Sequence, residues 1–148
     1  MTDVVVSGIK PSGELHVGNY LGAVKQFLEL QKKHDCFFFI ADLHSLTEDF
    51  TPEQKRKDIV NLVKDLLALG LDPKKCTLFV QSHVPQCTEL AWIFNCLTPV
   101  SFLERMTQYK DFKTRQKAGA NAGLLTYPVL QAAHVLLYRG THVPVGKE

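Results

Sequence analysis

Three short stretches of this chain are apolar at successive positions rather than at alternate ones, and they constrain its fold most. "VVVS" at 4–7, "CFFFIAD" at 36–42 and "TLFVQS" at 77–82 fit strands buried on both faces, as in a parallel sheet. Each is followed by a helical pattern. From residue 14 or 15 to 33, Leu21, Val24, Phe27, Leu28 and Gln31 recur at three- and four-residue spacing, which predicts an amphipathic helix. Thr51-Pro52-Glu53-Gln54 opens a second helix: Thr51 caps, Pro52 suits the first turn, and Gln54 reaches back as a capping box. That helix turns Ile59, Leu62, Val63, Leu66 and Leu69 inward and stops at Gly70. A third helix runs from about Cys87 to Leu97, and another opens at Pro128 and reaches about Tyr138. "HVPV" at 142–145 reads as a fourth strand. Strand and helix in alternation give an α/β, Rossmann-like parallel sheet with helices on both faces. Residues 111–121, "DFKTRQKAGAN", lose the periodicity, carry Lys113, Arg115 and Lys117, and are expected to form a mobile basic loop.

Composition narrows the class. The 148 residues suffice for one domain with a sizeable core. A net charge of +2 with histidines neutral makes no global demand for a nucleic-acid partner, although a local basic patch remains open. Cys36, Cys76, Cys87 and Cys96 form no C-x-x-C pair, so buried free thiols in a reducing compartment are expected ahead of a zinc site or disulfides. No metal site is expected. "MTDVVVSG" reads as a first strand rather than a signal peptide, and the apolar runs are too short to span a bilayer. A cytoplasmic protein with no membrane partner is expected.

The stretch "GIKPSGELHVGNYLG" at 8–22 holds four glycines and a proline between the first strand and the first helix. In an open parallel sheet, ligands bind beyond the carboxyl ends of the strands, which is where this loop lies. Gly13 and Gly18 permit close backbone approach, and a helix N-terminus attracts phosphate. The pattern is neither G-x-x-x-x-G-K-[ST] nor G-x-G-x-x-G; it brings side-chain donors instead, at Lys10, Ser12, His16 and Asn19. A turn with a capping Ser12 and a surface His16 would explain His16 alone, but not the whole set.

"PSGELHVGNYLGA" resembles the first signature of class I aminoacyl-tRNA synthetases, in the form used by tryptophanyl-tRNA synthetases. "IADLHSLT" at 40–47, "LFVQSHVP" at 78–85, "LERMTQYK" at 103–110, "AGLLTYPVLQAA" at 122–133 and "HVPVG" at 142–146 agree in order along the chain. The tyrosyl form fits "YPVLQAA" and "HVPVG" less well. The resemblance implies a class I synthetase nucleotide-binding fold, here incomplete, and ATP-dependent activation of tryptophan followed by transfer to tRNA(Trp). It implies tryptophan, ATP with Mg2+, tRNA(Trp) and a second copy of the chain as partners. His16, Gly18 and Asn19 match the ATP-holding signature, Lys10, Pro11 and Ser12 the loop beside it, and Gly146, Lys147 and Glu148 a second ATP-contacting turn. His16, Asn19 and Lys10 are the implied catalytic groups. They would stabilise charge on the α-phosphoryl group as pyrophosphate leaves, with no covalent enzyme intermediate. Val6, Gly8, His44, Tyr127, Gln131, Val143 and Val145 fall where the family lines its amino-acid pocket.

Spacing adds an independent reading. Residues Tyr127, Gln131, His134 and Tyr138 return to one helical stripe, opposite Val129, Leu136 and the alanines. If buried, that polar stripe needs hydrogen-bond partners; if not, it is a solvated face. Asp42 and His44 could form an acid–base pair, but the resemblance makes that segment a pocket wall. His83 and His142 are read as structural.

The chain departs from the family in four ways. It has no counterpart of the lysine-rich KMSKS loop or of the helical anticodon-binding domain, and it ends in "GKE" where the family has an acidic residue and a glutamine. A shortened, weakly active or inactive fragment spanning 1–148 is therefore expected, with a nucleotide- or aromatic-binding module lacking turnover as the alternative. Where the family places an aspartate to accept the indole N–H, this chain has His134. Tryptophan affinity is then expected to be low and to fall further as pH drops through the ordinary histidine pKa, ~6.5.

Overall fold

In the computed structural model, residues 3–107, 109 and 121–144 are described. They fall into two units, Met1–Val84 with Tyr138–Glu148, and Pro85–Leu137.

The first unit is a three-stranded parallel sheet in the order β1 (Val4–Ile9), β2 (Asp35–Ile40), β3 (Thr77–Val80). Val5 pairs with Cys36 and Phe38 with Leu78. Alternation along the strands divides two cores. Val5, Cys36, Phe38 and Ile40 enter the larger one, beneath Val24, Phe27, Leu62 and Leu66 of two helices. Phe27 stacks on Phe38 with ring centroids 4.2 Å apart. Val6, Phe39 and Ala41 face the other way, into a smaller cluster with Phe37, Phe79 and Tyr138. The continuous apolar runs thus exist because both faces are covered.

Segment 141–144 lies along the free edge of β1. Val5 bridges His142 in parallel, Val6 N–H donates to the His142 carbonyl at 3.0 Å, and Thr141 N–H to the Val4 carbonyl at 2.8 Å. The expected fourth strand is thus a single bridge among the described residues, and Val145 and the rest of the "HVPVG" run lie outside them. Its position still has a consequence. The chain proceeds from β1 across β2 to β3 and later returns to the opposite edge of β1. Such a reversal is a topological switch point, the usual ligand position in an open α/β sheet.

Helix α1 is one continuous segment: an α turn at Val17–Asn19, a π turn at Tyr20–Val24 and an α stretch at Lys25–Leu30. The wider π turn shifts the phase of the apolar stripe. Tyr20 and Ala23 pack on the core, whereas Leu21, expected inward, is 59% exposed. Gln31 closes the segment, its Oε1 accepting from Asp72 N–H at 2.9 Å and its Nε2 donating to the Gly70 carbonyl at 3.1 Å.

Helix α2 (Pro52–Ala68) begins as expected, with Thr51 Oγ1 accepting from Gln54 N–H at 3.3 Å. The reciprocal half of the capping box is not made. The Gln54 side chain donates instead to Asp58 Oδ1 at 2.7 Å, where a carboxylate is the stronger acceptor. Gly70, at φ +106, ends the helix, and Leu71 N–H donates back to the Leu66 carbonyl at 3.0 Å, as in a Schellman cap. Leu69, expected inward, is 40% exposed because the cap turns it away. Strand β3 is shorter than its apolar run: Gln81–His83 turn into a 3-10 helix.

The second unit is helical, with α3 (Gln86–Leu97), α4 (Val100–Leu103) and α5 (Ala122–Leu137). Helix α3 packs along α5. Helix α5 does not open at Pro128, which lies inside it. Asn121 Oδ1 accepts from Leu124 N–H at 2.8 Å, so an asparagine cap starts the helix a turn and a half earlier. The expected mobile loop at 111–121 lies outside the described residues apart from Asn121. Among the described residues no helix is long and apolar enough to cross a membrane. Cys36, Cys76 and Cys87 are buried free thiols, and Cys96 is a free but exposed one. Burial pushes the Cys36 thiol up to about 11, which keeps it protonated and inert.

Candidate functional site: a donor-lined loop at the end of β1

The loop between β1 and α1 leaves the sheet at the switch point. Its back is fixed: Pro11 is buried, its carbonyl accepts from Lys55 Nζ at 3.3 Å, and Ser12 N–H donates to the Lys10 carbonyl at 3.0 Å. Gly13 takes φ +103, a left-handed conformation open to glycine at little cost. Ser12 and His16 are exposed, and Asn19 is half-buried.

His16 and Asn19 cap their own helix. His16 Nδ1 accepts from Gly18 N–H at 3.1 Å, and Asn19 Oδ1 accepts from His16 N–H at 3.1 Å. A capping box is therefore built from the signature residues, not at Thr51–Gln54. Gly18 is required for it, since a Cβ there would lie 2.9 Å from His16 Cε1 and Nδ1. These bonds also fix the hydrogens. A nitrogen that accepts carries no proton, so neutral His16 holds its proton on Nε2. The Asn19 oxygen is spent on His16, which leaves the amide NH2 as the free end. The remaining polar atoms of both side chains are donors, a surface matched to an anion.

Lys10 adds a cation, with Nζ 2.9 Å from Glu48 Oε1. A cavity of about 540 Å3 flanks His16 between α1 and α2. Its lining includes the carboxylates Glu14 and Asp65, which oppose a polyphosphate.

Lys10, Pro11, Ser12, His16, Gly18 and Asn19 thus lie along the loop that runs from β1 into the first turn of α1, while Gly146, Lys147 and Glu148 lie outside the described residues. Val6, Gly8, His44 and Val143 belong to the first unit, and Tyr127, Gln131 and His134 to the second. Val6 is buried, and a Cβ on Gly8 would lie 2.6 Å from Phe39 Cδ2. His44 is buried, its N–H and that of Leu43 both directed at Gln81 Oε1, at 3.4 and 3.1 Å. Asp42 Oδ1 accepts from Ser82 N–H at 3.0 Å, tying the end of β2 to the end of β3.

The stripe at 127, 131, 134 and 138 is buried only in part. The buried residues of α5, Leu124, Val129, Ala133 and His134, lie on more than one side of the helix; within the stripe His134 is buried, Tyr127 half-buried and Gln131 exposed, and Tyr138 stacks on Phe37 at 5.1 Å. His134 is fully buried, and desolvation lowers its pKa from 6.5 to about 4. The ring therefore stays neutral through the range in which a titration was expected.

Sequence reasoning missed Glu48, Lys55, Asp58 and Gln81. Lys55 and Asp58 carried a signal, since steps of three and four continue the Leu62–Leu66 stripe back to them. Gln81 and Glu48 carried none.

Comparison with known proteins identifies the setting. The family described as tRNA synthetases class I (W and Y) matches residues 3–148. The chain is 54% identical over 143 residues to a tryptophan–tRNA ligase from Fusobacterium nucleatum, covering 97% of this chain and 44% of that protein. The tryptophanyl-tRNA synthetase structure from Mycoplasma pneumoniae superposes with a TM-score of 0.93 at 42% identity, over 99% of this chain and 44% of that one. The Campylobacter jejuni tryptophanyl-tRNA synthetase, solved with ADP and tryptophan, gives a TM-score of 0.90 at 42% identity, over 97% and 45%. The chain thus spans under half the length of these relatives. Their shared fold accounts for the parallel Rossmann-like sheet and for the signature at the end of its first strand, and the chain belongs to the class I tRNA synthetases of the tryptophan and tyrosine group.

Proposed function

We propose that the chain forms the nucleotide-binding part of a tryptophan–tRNA ligase, which activates tryptophan with ATP and passes it to tRNA(Trp). The observation that carries this reading is the donor-only face of His16 and Asn19 at the switch point, with Lys10 on the same β1–α1 connection. The names of the relatives support tryptophan over tyrosine as the substrate.

In this reading a carboxylate oxygen of tryptophan attacks the α-phosphorus of ATP. The bond to the bridging oxygen breaks, and pyrophosphate leaves with its electron pair. His16 Nε2–H, the Asn19 amide and the Lys10 ammonium donate to the phosphate oxygens as charge builds on them. They are held before the reaction begins, so little reorganisation opposes the step; one such donor is worth about 3–4 kcal/mol in comparable sites. Mg2+ is proposed to arrive on the phosphates of ATP. Among the described residues no group of three or more His, Cys, Asp or Glu side chains could hold a metal ion. A cytoplasmic location is proposed with this reaction.

Self-association is proposed through the second unit; the exposure of Trp92, Leu97, Val100 and Leu136, at 59–74%, supports this reading.

The test is a calorimetric titration of tryptophan and of tyrosine in the presence of ATP. Tryptophan should bind at least about tenfold more tightly, a difference of roughly 1.4 kcal/mol. Tighter binding of tyrosine would overturn the substrate assignment.

A further inference from the structure

Contacts of two kinds hold the signature loop to the stretch from Glu48 into the first turn of α2. One fixes backbone: Lys55, 9% exposed in the first turn of α2, donates to the Pro11 carbonyl and lies 5.6 Å from the centre of the Phe50 ring. The other fixes a side chain. Glu48, just after the 3-10 turn His44–Thr47, accepts from Lys10 Nζ at 2.9 Å. The Lys10 and Glu48 side chains are 43% and 35% exposed. The loop backbone therefore keeps its anchor whether or not Lys10 stays on Glu48.

A carboxylate beside a phosphate seat is chemically out of place unless it is meant to be exchanged. It neutralises the cation that phosphate needs, and it repels the phosphate itself. The remaining features suit exchange. An exposed ion pair is weak. Lysine is a point charge on a flexible stem with three donors, so it changes partner by rotation. A triphosphate offers more charge than a single carboxylate.

We propose that Glu48 is a positioning residue that holds Lys10 in an exchangeable ion pair, from which the phosphates of ATP take it over. This rests on the reading of Lys10 as a phosphate ligand. In the free protein, Glu48 keeps the Lys10 ammonium at the mouth of the loop and lowers the site's attraction for weakly charged anions. ATP displaces it; a monophosphate competes poorly. The pair thus sets a charge threshold that favours the triphosphate.

The test is calorimetric titration of ATP and of AMP into the protein and into Glu48→Gln, Lys10→Met and the double variant, with Asn19→Asp alongside. Glutamine keeps the shape and removes the charge. Glu48→Gln should tighten ATP about threefold to tenfold and AMP by a larger factor, so that the preference for ATP narrows. A merely structural support would move affinity the other way. In the Lys10→Met background the same change should shift ATP by less than about twofold. Unchanged or weaker ATP binding by Glu48→Gln overturns the proposal, as does an equal gain with and without Lys10, which would mean simple repulsion. If Lys10→Met binds ATP normally while Asn19→Asp does not, Lys10 is no phosphate ligand and the exchange is excluded, yet the loop remains the nucleotide site. If neither variant affects ATP, the reading of the loop fails as well.

Discussion

An alanine at position 8 is expected to cost about 3 kcal/mol of folding free energy, the upper part of the range for overpacking. The added Cβ would fall 2.6 Å from Phe39 Cδ2 and 2.7 Å from Cζ, inside any normal contact. Phe39 is 3% exposed and packs against Phe79 at 5.7 Å, so its ring cannot swing aside freely. The backbone cannot yield easily either, because Gly8 is paired with Phe39 within the sheet. Such a loss is a large share of the stability of an ordinary domain. Urea unfolding of Gly8→Ala measures it, and Phe39→Leu in the same chain should recover part of the loss by making room. An unchanged midpoint in Gly8→Ala would show that the ring does not confine this glycine.

Acidification should destabilise the protein through His134. Its folded pKa, lowered to about 4 by burial, lies below the ordinary value near ~6.5 of an unfolded chain. The sign follows from proton counting. Between these values the unfolded chain binds a proton that the folded chain refuses, so stability falls as pH drops from 6.5 toward 4 and levels off below. From pH 7.5 to 4.5 the loss assignable to this residue is on the order of 2–3 kcal/mol. His134→Gln has no titratable ring and should lack that part of the slope. Denaturant unfolding of both proteins at the two pH values gives the difference directly; parallel pH profiles would mean that His134 titrates normally in the fold. Because the ring stays neutral above about 4, ligand binding at His134 should show no histidine titration between pH 5.5 and 8. That replaces the pH dependence expected from the sequence.

The sheet was legible because its strands are buried on both faces, which writes itself as unbroken apolar runs such as "CFFFIAD". Helix α2 was legible at its ends, from Thr51-Pro52 and Gly70, since capping is local chemistry. What failed depended on competition between local signals. Gln54 had two acceptors within reach and took Asp58. Pro128 signals a helix start, but Asn121 caps first, and a helix of 16 residues tolerates one missing N–H. The π turn at Tyr20–Val24 breaks the 3.6-residue phase on which the inward reading of Leu21 rested. At the site, the donors His16, Asn19 and Lys10 were legible as a set. The capping bonds that fix their hydrogens, and the Glu48 and Lys55 contacts that hold the loop, join residues 38 and 44 apart or depend on atomic geometry, and no pattern along the chain announces them.

The claim that the donor face of the β1–α1 loop holds ATP is tested most directly by one variant, Asn19→Asp. Aspartate keeps an oxygen to accept from His16 N–H, so the helix cap and the fold should survive. It replaces the donating NH2 with a negative charge facing the phosphates. Calorimetric titration of ATP should therefore show affinity reduced at least about tenfold, with a thermal midpoint close to that of the unaltered protein. A folded Asn19→Asp protein that binds ATP with unchanged affinity would contradict the assignment.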